Sequence, residues 1–241
     1  MKQAILTITE NEKLTEGVYR MRLSGDIGEL KPGQFVNIKL DGLFLRRPIS
    51  VCDHEGNVLT IIYKVVGKGT ERMSALREGE TLDVLLGLGN GYDISAGAGR
   101  PLLIGGGVGV PPLYLLAKKL IEKNRPVSVV LGFNTAGEVF YEEEFRALGC
   151  SVTVTTVDGS YGTRGFVTDA LPEGCDYFYA CGPEPMLKAV FRGTETSGEM
   201  SFEERMGCGF GACMGCSCKT IVGSKRICKE GPVLKKEELL W

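Results

Sequence analysis

The first 95 residues alternate hydrophobic and polar positions in short runs, which is the pattern of β-strands with one buried face. Turn residues at 31–33 and 53–57 separate the runs, and one short helix fits residues 70–77. Several short strands at this spacing predict a small barrel. The predicted strands cover residues 3–8, 18–23, 34–40, 59–65 and 81–86.

The pattern changes after residue 101, where short buried strands alternate with helical stretches. Strands are predicted at 102–104, 127–131, 152–156 and 177–180, and helices at 113–123, 141–148 and, in shorter form, 165–171. This alternation predicts a parallel sheet with crossover helices. Residues 95–101 read as a linker, so we divide the chain into segments 1–97, 98–199 and a cysteine-rich module at 200–241.

Composition narrows the classes of function. The 241 residues are 43% hydrophobic, which is ample for packed cores, and the net charge of −2 with mixed signs disfavours a nucleic-acid partner. The sequence has no run of 18 apolar residues, so no membrane span is predicted. The N-terminus is predicted to be a strand and not a signal peptide. An odd number of cysteines, nine, favours a reducing compartment, and we expect the cytoplasm.

A cysteine cluster near the C-terminus is the most informative motif. Cys208, Cys213, Cys216 and Cys228 are spaced C-x4-C-x2-C-x11-C, and the x4/x2 part is the spacing of plant-type 2Fe–2S loops. Glycines interleave the cysteines, and no Lys or Arg lies between residues 208 and 218, so we expect backbone N–H groups to stabilise a negatively charged cluster.

Two other interpretations of these cysteines stay open. A zinc site usually needs two C-x2-C pairs or a Cys/His set, and the only histidine is His54. Disulfides would need an oxidising compartment. Cys218 fits no ligand pattern, so we interpret it as a free thiol or one that packs behind the ligands, and the other cysteines as small buried residues.

A glycine-rich turn and a Cys-Gly-Pro turn follow two of the predicted parallel strands. Gly105-Gly106-Gly107-Val108-Gly109 opens a helix, which is where such sheets bind a pyrophosphate on backbone N–H groups. Cys181 ends a strand before Gly182-Pro183, which places its thiol at the edge where a nicotinamide would lie. An ordinary tight turn and a buried small residue are the alternatives.

The barrel segment carries a second set of candidate phosphate and flavin contacts. In the run Arg46-Arg47-Pro48-Ile49-Ser50, an arginine can pair with a diphosphate and the serine hydroxyl can donate to a flavin ring atom. The turn at 67–70 adds N–H groups and a threonine hydroxyl for the same diphosphate. A basic surface turn is the alternative.

In this order the motifs resemble the ferredoxin–NADP reductase superfamily and, more closely, the electron-transfer subunits of class 1B dihydroorotate dehydrogenases. The resemblance covers almost the whole chain. It rests most on the runs at 46–50, 89–91, 105–112, 158–162 with 165–169, 181–183, 204–209 and 231–233. The run Leu86-Gly-Leu-Gly-Asn-Gly91 departs from the family pattern, because it lacks a proline and is one residue shorter.

The resemblance implies a multi-domain fold: a Greek-key FAD-binding β barrel, a parallel-sheet NAD-binding α/β domain and a small C-terminal 2Fe–2S module. It implies FAD contacts at Arg47, Pro48, Ile49, Ser50, Ile62, Tyr63, Lys64, Gly69 and Thr70. The NAD contacts are expected at Gly105, Gly106, Gly107, Gly109, Asp158, Cys181, Gly182 and Pro183, and the cluster ligands at Cys208, Cys213, Cys216 and Cys228.

It also implies a partner, a catalytic subunit with FMN that oxidises dihydroorotate to orotate, with two copies of each subunit in the complex. Electrons would then pass from the partner through the 2Fe–2S cluster and FAD to NAD+, without an acid or base from this chain. We prefer NAD to NADP because the loop at 132–137 has no cation and Asp158 would repel a 2′-phosphate.

Two other functions stay open. The first is the small subunit of a flavin-based NAD(P)H:ferredoxin oxidoreductase or a sulfide-dehydrogenase-like complex, which shares the domain order. The second is a non-enzymatic binding module stabilised by zinc, which a visible spectrum without flavin and 2Fe–2S bands would indicate.

Overall fold

Residues 2–88 fold into a closed antiparallel barrel, which confirms the small barrel predicted from the alternation. The computed structural model describes residues 1–96 and 99–241. The strands are β1 (Lys2–Thr15), β2 (Val18–Ser24), β3 (Phe35–Ile38), β4 (Arg47–Glu55), β5 (Val58–Lys64) and β6 (Thr81–Leu88), with helix α1 (Lys68–Ser74) between β5 and β6. Their spatial order is β1-β2-β5-β4-β3-β6.

Strand β1 is much longer than the sequence predicted. Its 14 residues continue past the alternating segment 3–8, with register irregularities between Ile8 and Glu10 and between Lys13 and Thr15. The polar run after Ile8 hides the strand from a pattern search, because most of these side chains are partly or fully exposed. The irregularities let the strand bend around the barrel.

The second half forms the parallel sheet that the alternation predicted. The strands are β7 (Pro101–Gly106), β8 (Ser128–Phe133), β9 (Ser151–Thr156), β10 (Thr163–Arg164), β11 (Tyr177–Cys181) and β12 (Gly198–Ser201). The helices are α2 (Pro111–Ile121), α3 (Glu142–Ala147) and α4 (Glu184–Gly193), and residues 165–171 hold only a 3-10 turn at Val167–Ala170. Strand β7 pairs with β8 on one side and β11 on the other, so the strand order reverses there.

The cysteine-rich segment is attached to both larger parts. It contains the hairpin β13 (Ser217–Thr220) and β14 (Gly223–Arg226), and then β15 (Val233–Lys235), which pairs antiparallel with β12 at the edge of the parallel sheet. The predicted division at 199/200 therefore lies inside β12, and the division at 97/98 falls outside the described residues. Both divisions stay predictions.

A shared core joins the barrel to the α/β domain. Val18 and Ile62 of the barrel belong to the same buried cluster as Leu113 and Leu116 of α2. Lys118 of α2 adds an ion pair with Asp53 of β4, at 2.8 Å between Nζ and Oδ2. This packing holds the end of β5 against the glycine-rich turn after β7. In the described part of the chain, no helix has the length and apolarity needed to cross a membrane.

Candidate functional site

Strands β4 and β5 of the barrel separate at one end, where the flavin contacts were predicted. The pairing of β4 with β5 runs from Glu55 opposite Val58 to Val51 opposite Ile61. Beyond that point, residues 47–50 pair with β3, whereas residues 62–64 pair with β2. The two strands therefore diverge, and the wedge between them is bordered by both predicted FAD segments.

Arg47 and Gly69 meet at the mouth of this wedge. A Cβ atom on Gly69 would lie 2.0 Å from Arg47 Nε, so a larger residue here would displace the guanidinium. The Thr70 hydroxyl accepts a hydrogen bond from the N–H of Val66 at 2.9 Å and donates one to the Gly67 carbonyl at 3.1 Å. Thr70 thus holds the turn in shape, and its hydroxyl is already engaged.

The neighbouring Arg46 has a different environment. Its Nη1 and Nη2 each lie 3.0 Å from an oxygen of the Asp83 carboxylate, and Nη1 also donates to the Asp83 carbonyl. Burial disfavours ionisation of Asp83, yet the Arg46 guanidinium holds the pKa of that carboxyl below its usual value. Arg46 therefore ties the strand to β6, and Arg47 is the arginine at the wedge.

The other predicted FAD residues differ in what they present to the wedge. Pro48, Ile49 and Ser50 are half-buried, and Lys64 is exposed. The Tyr63 ring is buried inside the barrel, where its hydroxyl donates to Asn11 Oδ1 at 2.9 Å. Ile62 is buried in the core shared with the α/β domain. Tyr63 therefore has only its backbone to offer a ligand on this side.

A small cleft of about 30 Å³ connects the two predicted cofactor sites. Its lining includes Lys64 from β5 and Gly107 and Val108 from the turn after β7. Thr15 also lines it, and the Thr15 hydroxyl is buried without a hydrogen-bond partner in the described part of the chain. Sequence reasoning missed Thr15, because a lone threonine at a strand end carries no signal.

The glycine-rich turn and the Cys-Gly-Pro turn are in direct contact. A Cβ on Gly109 would lie 2.2 Å from the Cys181 carbonyl oxygen, and one on Gly106 would lie 2.5 Å from Met186 Sδ. Gly105 is register-matched with Cys181 across β7 and β11. The structure therefore brings Gly105, Gly106, Gly107, Gly109, Cys181, Gly182 and Pro183 together where the strand order reverses, which is where such sheets bind ligands.

Cys181 is a neutral thiol in this setting. Burial raises the pKa of its thiol to about 12, and a hydrogen bond with Ser201, its register partner on β12, only partly opposes that rise. A neutral thiol is a weak nucleophile, so Cys181 can pack against a ring but is unsuited to covalent chemistry.

Asp158 lies at the same edge of the sheet, beyond β9. Its Oδ1 accepts hydrogen bonds from the N–H and hydroxyl of Ser160, and the hydrogen bonds from Ser160 lower the pKa of this exposed carboxyl. The Ser160 hydroxyl also accepts a hydrogen bond from the N–H of Ala136. Ala136 and Tyr161 line a cavity of about 270 Å³ whose wall includes three glutamates, Glu142, Glu143 and Glu144.

The four predicted cluster cysteines lie in two pairs. The N–H groups of Ala212 and Cys213 point at Cys208 Sγ, at 3.2 and 3.4 Å, and the N–H of Cys228 points at Cys216 Sγ at 3.4 Å. Cys213 is exposed, whereas Cys216 and Cys228 are buried. A binuclear cluster held by four cysteines needs two thiolates on each iron, which this outer pair and inner pair provide.

Backbone N–H groups favour the thiolate form of Cys208. Burial alone would raise the pKa of Cys208, but hydrogen bonds from the loop backbone and from Cys213 lower it to about 6. All nine cysteines are free thiols, so no disulfide competes for these residues. Over residues 1–96 and 99–241, no three His, Cys, Asp or Glu side chains are gathered to hold a single ion.

Cys218 does not join either pair. It is half-buried in β13 and packs against the cluster of side chains that contains Phe35, Leu88 and Leu234. This matches its interpretation as a free thiol beside the ligands.

Two asparagines of the barrel attach the cysteine-rich segment beside the wedge. Asn37, opposite Pro48 on β3, donates from Nδ2 to the Cys208 carbonyl at 3.4 Å, and its buried Oδ1 has no partner in the described residues. Asn90 donates to the Glu230 and Val233 carbonyls and accepts the Val233 N–H. Asn90 lies in a motif of the resemblance, whereas nothing in the sequence indicated Asn37.

Comparison with known proteins agrees with this arrangement. Residues 203–240 match the family model for the iron–sulfur cluster binding domain of dihydroorotate dehydrogenase B, and residues 103–192 match the oxidoreductase NAD-binding domain. The electron transfer subunit of dihydroorotate dehydrogenase B (NAD+) from Geobacillus sp. strain WCH70 is 45% identical over 100% of this chain and 99% of the relative. The chain belongs to this family of electron transfer subunits.

Other relatives support the same assignment. The subunit of the same name from Fusobacterium nucleatum is 43% identical over 97% of this chain and 96% of the relative. A solved NADH-dependent reduced ferredoxin–NADP oxidoreductase, studied for flavin-based electron bifurcation, superimposes with a TM-score of 0.90 at 34% identity, covering 99% of this chain and 90% of that one. Flavohemoglobin from Malassezia yamatoensis shares only the fold, at 20% identity and a TM-score of 0.69 over 80% and 56%.

The family confirms the predicted resemblance, the three-part fold and the set of cofactors. The individual contact residues stay predictions. The structure adds Thr15 as a residue of the cleft between the two predicted sites, shows that Asn37 and Asn90 attach the cysteine-rich segment, and pairs Arg46 with Asp83.

Proposed function

We propose that this chain is the electron transfer subunit of an NAD+-dependent dihydroorotate dehydrogenase. It passes electrons from the catalytic subunit of that enzyme to NAD+. The observation that carries the proposal is spatial order. The NAD turn and the flavin wedge border one cleft, and the cysteine loop contacts β3 directly behind the wedge. A flavin in the wedge would lie between a two-electron acceptor and a one-electron carrier.

The wedge fits an FAD, because the diverging strands leave backbone groups on both walls unpaired across it, with half-buried side chains on the β4 wall and the exposed Lys64 on the β5 wall. In this proposal Arg47, which lies against Gly69, would pair with the diphosphate, and the half-buried Ser50 would donate its hydroxyl to a ring atom of the isoalloxazine. When bound, the flavin exchanges electrons singly or in pairs, which connects a one-electron carrier to a two-electron acceptor. The chain's own task is to orient the flavin and to exclude water.

The α/β domain fits NAD better than NADP. The cavity beside Asp158 is lined by three glutamates, and Asp158 itself keeps its charge, so a 2′-phosphate would meet several carboxylates. Cys181 and the glycines at the strand reversal would border the nicotinamide.

The paired cysteines fit a 2Fe–2S cluster. Cys216 and Cys228 would hold the inner iron, and Cys208 and Cys213 the outer one, at the exposed end of the loop. The exposed end has no second redox site in the described part of this chain. We therefore propose that this exposed end of the loop binds a catalytic subunit that contains FMN, in a complex with two copies of each subunit. Nine free cysteines support a reducing compartment, and the cytoplasm is the proposed location.

Co-expression with a dihydroorotate dehydrogenase catalytic subunit tests the proposal. We expect one complex to co-purify with FAD, FMN, iron and sulfide, and to reduce NAD+ with dihydroorotate as donor. A complex that reduces NAD+ only with reduced ferredoxin would contradict it. That result would favour the second candidate, the small subunit of a flavin-based NAD(P)H:ferredoxin oxidoreductase. The TM-score of 0.90 to such an enzyme supports this candidate.

A further inference from the structure

One ion pair of the cysteine-rich segment is built into the cluster loop itself. Arg226, at the end of β14, donates from Nη1 to the carbonyl of Gly211 at 2.7 Å, in the middle of the loop that carries Cys208 and Cys213. Its backbone and Nε both contact Glu230 Oε2 at 2.8 Å, and Nη2 contacts Oε1 of the same carboxylate. The guanidinium therefore connects three parts of the segment.

The inner cysteine pair lies next to this guanidinium. The N–H of Ile227, the residue after Arg226, donates to the Cys216 carbonyl at 3.1 Å, and Cys228 follows directly. The Arg226 guanidinium and the Glu230 carboxylate form a close ion pair, in which Nε and Nη2 each contact one carboxylate oxygen. Both side chains are therefore charged at neutral pH.

The position of the pair matters because no Lys or Arg lies within the cysteine loop between residues 208 and 218. Reduction adds one negative charge to a cluster that is already net negative, and nearby charges change the free energy of that step. Arg226 and Glu230 are 23% and 35% exposed, so solvent weakens but does not cancel their field.

We propose that Arg226 is a positioning residue that closes the cysteine loop over the 2Fe–2S cluster and raises its reduction potential, and that Glu230 limits this increase. The inference rests on the cluster of the proposed function. The two residues have one structural task, since they hold each other, but opposite electrostatic effects. This difference separates tuning of the cluster from simple support of the loop.

The test measures the midpoint potential of the cluster by EPR-monitored titration in the co-purified complex. Arg226→Gln removes a positive charge and should lower the potential, whereas Glu230→Gln removes a negative charge and should raise it. Arg226→Lys should restore most of the loss. Lys225 of the same hairpin pairs with Glu238, near the C-terminus, at 2.8 Å, and this ion pair supplies the matched controls Lys225→Gln and Glu238→Gln, which should shift the potential less.

Several outcomes would overturn the inference. If the potentials of Arg226→Gln and Glu230→Gln shift with the same sign, or if neither shifts, the two residues only support the loop and do not tune the potential. Control shifts as large as those of the pair would remove its special role. If Arg226→Gln loses its cluster during purification, Glu230→Gln decides, and a potential at or below that of the wild type contradicts the proposal.

The same titration separates this inference from the proposed function. A wild-type complex without a 2Fe–2S signal would overturn both. A wild-type complex with the signal and with dihydroorotate-dependent NAD+ reduction, but without the opposite shifts, would overturn only the role of Arg226 and Glu230.

Discussion

At the scale of the residue, neighbours in sequence acquire different tasks through the contacts that the fold gives to each of them. Arg46 and Arg47 are chemically identical, yet Arg46 is fixed on Asp83 and Arg47 lies on Gly69 at the wedge. A motif search finds both arginines and cannot rank them, because the distinction depends on the register of β4 against β3 and β5.

Substitution of the two arginines should separate flavin binding from stability. We expect Arg47→Gln to weaken FAD binding by roughly 10- to 100-fold, since it removes charge-assisted hydrogen bonds to a diphosphate. Arg46→Gln should instead lower the free energy of unfolding by about 2 kcal/mol through the loss of the Asp83 pair. Flavin content after dialysis and denaturant unfolding of both variants measure these effects, and equal flavin loss in both would contradict the assignment.

At the scale of the element, the alternation of hydrophobic positions predicted the barrel and the parallel sheet, but not the features that make the sites. The divergence of β4 from β5 is a matter of strand pairing, and pairing between residues about ten or more positions apart leaves no local signal. The glycine-rich turn was predicted as a phosphate site, and the structure shows a further reason for its glycines. Gly109 leaves room for the backbone of Cys181.

Gly109→Ala should therefore separate the two turns of the NAD site. The added Cβ would lie 2.2 Å from the Cys181 carbonyl oxygen, so the backbone of one turn has to move. We expect weaker NADH binding and a loss of stability of about 1–3 kcal/mol. Gly137→Ala is the matched control, since its nearest neighbour would be 3.8 Å away. NADH titration and thermal unfolding measure both variants, and equal behaviour would contradict the close-contact argument.

Glu199 of β12 should make stability depend on pH. Burial, and then the nearby Asp93 carboxylate, raise the pKa of Glu199 to about 7, although the N–H of Asp93 donates to it at 2.9 Å. The folded protein thus binds this proton more tightly than the unfolded chain, in which the pKa is about 4.5. The contribution of Glu199 to stability should be greatest below pH 4.5 and fall as the pH rises to 7, by roughly 3 kcal/mol at most.

Glu199→Gln tests this dependence, because it keeps a hydrogen-bond acceptor and removes the titration. From pH 5 to pH 8 the Tm of the wild type should fall steadily relative to the Tm of the variant, because only the wild type has to ionise the buried carboxyl. Glu203→Gln, at an exposed position, should leave the profile unchanged. A parallel pair of wild-type and Glu199→Gln profiles would show that the carboxyl titrates normally.

At the scale of the whole molecule, the cysteine-rich segment is less separate than its sequence indicated. Strand β15 pairs with β12 of the parallel sheet, and Asn90 and Asn37 fix the segment to the barrel. The spacing of the cysteines predicted the cofactor, whereas only the fold shows that the segment contacts both cofactor-binding parts. One end of the cysteine loop remains exposed, and it carries two exposed apolar side chains.

Phe210 and Met214 lie on that loop and are 45% and 54% exposed. Apolar side chains beside the exposed cysteine pair are suited to a protein partner, because burial of a phenylalanine stabilises a complex by about 2–3 kcal/mol. We expect Phe210→Gln to weaken association with the catalytic subunit by roughly 10- to 100-fold. Met214→Asn should act in the same direction, and asparagine tolerates the left-handed φ of 60° at this position.

Both variants should keep the 2Fe–2S absorbance of the wild type, since neither side chain is a ligand. Phe166→Gln provides the control, because Phe166 is 64% exposed but lies in the α/β domain, away from the cysteine loop. Equilibrium binding of the purified subunits measures the effect. If Phe166→Gln weakens the complex as much as Phe210→Gln does, or if neither loop variant changes the affinity, then the partner binds elsewhere and electrons leave the cluster by another face of the molecule.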